Sequence, residues 1–124
     1  MANIFLDASV FFDIREKRTA LFQRDFSNDF LFMSILTLDI YFYTFKKKMP
    51  DLTFVGLTNF VQILNFTQDL ALKALEGPTK DFEDNVQLHS AIDADCNIFY
   101  TRDNGLLKLG YFGNVKIQKP TVQF

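Results

Sequence analysis

Residues 80–103 read KDFEDNVQLHSAIDADCNIFYTRD, and the fold is decided there. From Asp81 to Asp93 the spacing predicts a helix, in which Asp84, Leu88, Ala91 and Asp95 fall at i, i+4, i+7 and i+11 and share a face. Asn97-Ile98-Phe99-Tyr100-Thr101 follows, a short apolar run of the kind buried on both sides of a sheet. Asp103 follows after one intervening residue. A helix, a buried strand and then an acid at the strand's carboxyl end describe one unit of an α/β sheet, where ligands bind beyond the strand ends.

The same alternation extends outward on both sides. Toward the start, Asn3-Ile4-Phe5-Leu6 reads as a buried strand, with a helix from about Ser9 to Arg18 and a turn-rich one through Phe22 to Phe26. Phe30 to Ile35 is a second strand. Thr37 is expected to cap a helix running to about Lys48, where Lys46-Lys47-Lys48 suit the negative end of the dipole and Pro50 follows the stop. Asp51 to Asn59 reads as a short helix and Phe60 to Leu64 as an edge strand, and Thr67 caps a helix over Gln68 to Leu75. Toward the end come a brief helix from Asp103 to Leu109, a turn at Gly110-Tyr111-Phe112-Gly113 and a strand at Asn114 to Gln118. Strands alternating with helices predict a single α/β domain over 1–124: a central twisted parallel sheet of about four or five strands, with helices on both faces.

Composition agrees. A chain of 124 residues with 48% apolar and 23% charged residues suffices for one core, rich in its 16 phenylalanines, and is not disordered. The net charge of −2 argues against a general electrostatic grip on nucleic acid, though Lys46-Lys47-Lys48 and Arg15-Lys17-Arg18 form local basic clusters. The lone Cys96 excludes an internal disulfide, and no Cys/His spacing suggests zinc. The chain reads as cytoplasmic: Asp7 breaks the first apolar run, and Asp39 lies inside the longest one, itself too short to span a membrane.

Four aspartates stand where acids are costly. Asp7 directly follows the first strand and Asp103 the later one, so neighbouring strands put both carboxylates in one crevice. Asp84 lies in line with core-facing Leu88 and Ala91. Asp39 shares a stripe with Leu36, Phe42 and Tyr43. Helix capping offers each of Asp7 and Asp103 another explanation, and the helix dipole does so for Asp84 and Asp39. Carboxylates ~4 Å apart repel by about 4 kcal/mol per pair at an effective dielectric of 20. Protonation or a hard divalent cation relieves that, and Mg²⁺ or Mn²⁺ held by carboxylates and water is the usual agent of phosphodiester chemistry. His89, about 140° around the helix from Asp84, reads as a half-exposed residue and not a ligand.

These residues match a known pattern. Ile4-Phe5-Leu6-Asp7-Ala8-Ser9-Val10 resembles the opening strand of PIN domains. Lys80-Asp81-Phe82-Glu83-Asp84, with Gln87 and Ala91, is similar to their third motif, and Tyr100-Thr101-Arg102-Asp103 to their fourth. Lys119-Pro120-Thr121 and the final Phe124 are similar to a common ending of these domains. Asp39 stands where the second motif usually carries Glu. The resemblance covers nearly the whole chain and implies a Mg²⁺- or Mn²⁺-dependent ribonuclease with Asp7, Asp39, Asp84 and Asp103 as metal-binding and catalytic residues. It also implies an RNA substrate, a VapC-like toxin paired with a small antitoxin, and a homodimer. Ser9 and Thr101 would then orient a water or a phosphate, and Arg102 is placed to meet a phosphate.

Other readings fare worse. A receiver-like phosphoacceptor domain needs paired acids after the first strand, whereas Ala8 follows Asp7; a dehalogenase-type phosphatase needs an acid where Ser9 stands. Dinucleotide binding lacks its glycine-rich turn. The non-enzyme alternative is a catalytically weak PIN-like module that binds RNA or a protein.

Overall fold

Asn3–Leu6 forms strand β1, and its side chains alternate as a central parallel strand requires. Ile4 and Leu6 enter one apolar core and Phe5 the other. The computed structural model describes residues 2–16 and 29–120. Around β1 a six-stranded sheet runs in the order β3-β2-β1-β4-β6-β5. Its other strands are β2 (Phe30–Ser34), β3 (Val61–Leu64), β4 (Ile98–Tyr100), β5 (Tyr111–Phe112) and β6 (Val115–Gln118).

Every pairing is parallel except β5 with β6. The expectation of four or five parallel strands therefore misses one antiparallel edge. Tyr111 and Phe112, read as part of a turn, pair with Lys116 and Val115. Gly113, at φ +58°, turns the chain between them, a conformation glycine adopts without strain. The β3 edge is as expected.

Helix α1 (Ala8–Arg15) follows β1, and α2 (Ile35–Thr44) follows β2 without a break. The cap of α2 is Ser34, whose Oγ accepts from Leu36 N at 3.1 Å, and not Thr37, which lies a turn inside the helix and is buried. This helix ends at Thr44, before the three lysines. The short α3 (Leu52–Leu57) is capped by Asp51, α4 (Gln68–Leu75) by Thr67, α5 (Phe82–Asp93) by Asp81 and α6 (Asn104–Leu109) by Asp103. The helix expected over Phe22 to Phe26, Lys17, Arg18 and the residues after Pro120 lie outside the described residues.

Helices cover both faces of the sheet. On one, α1, α2 and α3 bury Val10, Phe11, Tyr41 and Phe54 against Ile4, Leu6, Leu31 and Met33. The aromatic rings expected in the core gather there, Phe12 and Phe45 edge to face at 5.4 Å and Phe42 against Phe54 at 4.9 Å. On the other, α5 and α6 place Leu88, Ala91 and Leu106 over Phe5 and Phe99, whose rings stack at 5.2 Å. Among the described residues no helix is long and apolar enough to cross a membrane.

Candidate active site

The sheet order reverses at β1. Strands β2 and β3 lie to one side and β4 and β6 to the other, so a crevice opens where β1 and β4 end. The Asp7 N–H donates to the Tyr100 carbonyl at 3.1 Å, which carries the pairing one residue beyond β1. Asp7 and Asp103 therefore arrive in the same place from the two central strands.

Asp7 is 4% exposed. Its Oδ1 accepts from Val10 N at 2.9 Å, capping α1, and from the Ser9 hydroxyl at 2.8 Å. Its Oδ2 accepts from the Thr101 hydroxyl. Burial pushes the carboxyl pKa up; these three donors pull against that, and the Asp103 charge adds to the rise. Thr101 is fully buried, and its Oγ1 accepts in turn from Asp103 N at 3.0 Å. The hydroxyl is thus a bridge between the two acids, engaged on both sides. Asp103 caps α6 through Oδ2, 2.8 Å from Leu106 N. Asp7 and Asp103 are thus both helix caps, and both stand where β1 and β4 end.

Asp84 comes from the first turn of α5. Burial pushes it up to about 7, with further contributions from Asp81, Asp103, Asp7 and Glu83. The cap of α5 is Asp81 and not Asp84: Asp81 Oδ1 accepts from the Asp84 N–H at 2.9 Å. Glu83 is half-buried and also raised, by burial first and then by Asp81 and Asp7. Glu83 thus belongs to this group and was missed, because an acid beside other acids in a helix's first turn reads as a dipole effect.

Asp39 is exposed. The burial expected from its helical stripe is absent: α2 turns Ile35, Asp39 and Tyr43 to solvent and buries Thr37 and Tyr41. Asp39 is not among the charges acting on Asp7 or Asp84. Asp95, expected on the Asp84 face, lies beyond the end of α5 at φ +55°. Ser9 is exposed at the crevice. Arg102 is exposed too, its Nε 3.3 Å from Asp13 Oδ2 on α1. Lys46 to Lys48 follow the far end of α2, about 15 Å along the helix from the strand ends. His89 is half-exposed, with Nε2 2.9 Å from the Gly77 carbonyl oxygen.

The donor set suits a hard cation that keeps much of its water. Among the described residues no three acidic, histidine or cysteine side chains close around a single ion. Mg²⁺ needs only one or two carboxylates when waters fill the remaining positions. Asp84 and Asp103 Oδ1 have no hydrogen-bond partner among the described residues, and Asp7 Oδ2 keeps one lone pair.

No protein-family model matches the chain, and no curated protein sequence matches it. Solved structures do. The chain is similar to Mycobacterium tuberculosis VapC20, a Sarcin-Ricin loop cleaving toxin, at 17% identity with a TM-score of 0.65, over 91% of this chain and 98% of that one. It is similar to a chain of VapBC2 from Rickettsia felis, solved bound to a DNA fragment from their promoter, at 12% identity and a TM-score of 0.67. That match covers 94% of this chain and 98% of the other. The likeness runs nearly end to end: the chain has the PIN-like fold of these structures.

Proposed function

We propose that this chain is a Mg²⁺- or Mn²⁺-dependent endoribonuclease and the toxin of a toxin–antitoxin pair. One observation carries the reading: Asp7, Asp84 and Asp103 come from three different elements to the crevice where β1 and β4 end, near enough that the Asp103 charge helps to raise both Asp7 and Asp84. The fold shared with a Sarcin-Ricin loop cleaving toxin supports it. RNA is then the substrate, a small antitoxin and a second copy of this chain are the protein partners, and the cytoplasm is the compartment.

Asp7, Asp84 and Asp103 would hold the ion, with Glu83 beside them and Asp39 outside the group. A divalent ion held there would lower the pKa of a bound water, so that its deprotonated form could attack a phosphodiester, and would offset the negative charge of the phosphate. The protein holds the carboxylates ready. Thr101 and Ser9 fix both oxygens of Asp7, and Thr101 ties the backbone of Asp103 to it. Asp84 carries its proton to about pH 7 in the cation-free chain. Arg102 is the nearby cation for a phosphate, once it exchanges Asp13 for RNA.

Cleavage of end-labelled single-stranded RNA tests this. Activity should need Mg²⁺ or Mn²⁺, stop with chelator and fall at least about a hundredfold in Asp84→Asn, since such charge stabilisation is worth several kcal/mol. His89→Ala should be nearly silent. Cleavage surviving both chelation and Asp84→Asn would sink the proposal. The displaced Asp39 favours one second reading, a PIN-like module that binds RNA or a protein and cuts weakly; it predicts retained RNA with no metal-dependent products.

A further inference from the structure

Gln87 is 2% exposed, and its amide points across to α1. Its Oε1 accepts from the Ala8 N–H at 2.8 Å, and its Nε2 reaches Glu83 Oε1 at 3.4 Å. Ala8 is the first residue of α1, where a backbone N–H has no partner within its own helix. The Asp7 cap takes Val10 N and leaves Ala8 N, and a side chain 79 residues further along supplies the missing acceptor. An amide buried this way must be desolvated, and an apolar side chain of the same length would fill the space without that cost. The amide joins the peptide next to Asp7 to the helix that carries Glu83 and Asp84.

The geometry points to Gln87 as a positioning residue, which sets the spacing of Asp7 from Asp84 and Glu83 and through it the affinity of the crevice for a divalent cation. This rests on the reading of the crevice as a metal site. Gln87 itself touches no ion. It acts on the ligands as outer hydrogen-bond partners do in metal sites, where their loss typically weakens binding by about 10- to 100-fold.

Mn²⁺ titration calorimetry on the whole chain, beside its metal-free melting temperature, tests this with Gln87→Met and Gln87→Glu. Gln87→Met keeps the length and loses the acceptor, so a folded variant should bind Mn²⁺ at least about tenfold more weakly. Gln87→Glu keeps an oxygen for Ala8 N and should bind at least as tightly as the unaltered chain. A residue that only fills space predicts full affinity in Gln87→Met, and that result overturns the inference while leaving the metal site standing. Should Gln87→Met fail to fold, Gln87→Glu decides: a folded chain with an affinity loss of about tenfold or more overturns the inference equally. If the unaltered chain binds no Mn²⁺, the metal reading fails and this inference falls with it.

Discussion

Asp84 keeps a proton to about pH 7 because it is half-buried and faces four other acids. Its folded pKa lies above the unfolded value of 3.8, so the folded chain binds the proton more tightly. This contribution is complete below about pH 4, is lost as pH rises toward 7, and is flat beyond. Solvent screening limits it to on the order of 1 kcal/mol. Metal-free Asp84→Asn should therefore be as stable as the parent or more so at pH 8, with a flatter denaturant midpoint between pH 4 and 7. A sharp loss of stability would instead make Asp84 a structural partner. Asp7→Ala should go the other way, by about 1–2 kcal/mol, because the cap of α1 goes with it. The places of Asp7, Asp84 and Asp103 were legible in the sequence because the first and last follow buried strands and Asp84 falls in line with Leu88 and Ala91. Asp39 misled: in a helix apolar nearly all round, the one charged residue marks the solvent side.

Side-chain amides and hydroxyls fasten the elements that carry the acids. Asn85 is buried and closes the corner between α4 and α5: its Oδ1 accepts from Thr79 N and Oγ1, and its Nδ2 donates to the Ala74 and Thr79 carbonyls. Asn85→Ala should cost about 2–3 kcal/mol in denaturant unfolding, since it strands buried polar partners. Thr37 in α2 is the contrary case. Its buried Oγ1 has no partner among the described residues, so Thr37→Val should be neutral or stabilise by about 1 kcal/mol. Element order and most helix limits could be read from the sequence, since caps such as Thr67 and Asp81 are local signals. The start of α2 was misplaced because Ser34 and Thr37 are both good caps and only packing chooses between them. Strand β5 escaped because two residues carry no periodicity. The burial of Gln87 was hidden for a related reason: α5 buries Asn85, Val86, Gln87, Leu88, Ser90 and Ala91, a broader arc than its apolar residues mark.

Across the whole molecule, Tyr43, Leu52, Val55 and Leu75 remain largely exposed although two cores are filled. Under the proposed pairing of two copies, sedimentation at tens of micromolar, where ordinary dimers persist at about micromolar affinity, should show a dimer. A monomer throughout that range would contradict it. Metal should stabilise the fold as a whole. At about a hundred times its dissociation constant Mn²⁺ adds about 2.7 kcal/mol, and at one fixed Mn²⁺ concentration the gain should be larger at pH 8 than at pH 5 because ligating carboxylates must be deprotonated. An equal melting temperature with and without Mn²⁺ at pH 8 would count against the site.

Strand β1 sits between β2, which follows it closely in the chain, and β4, which does not; Thr101 meets Asp7 across 94 residues. A ribosome adds about 5–20 residues per second, so Asp7 is made several seconds before its partner. Throughout that interval β1 can pair on one side only, and the carboxylates have nothing to assemble around. On the proposed ribonuclease reading, the strand order works as a clock: Asp103, which follows β4, cannot come to lie beside Asp7 until β4 docks.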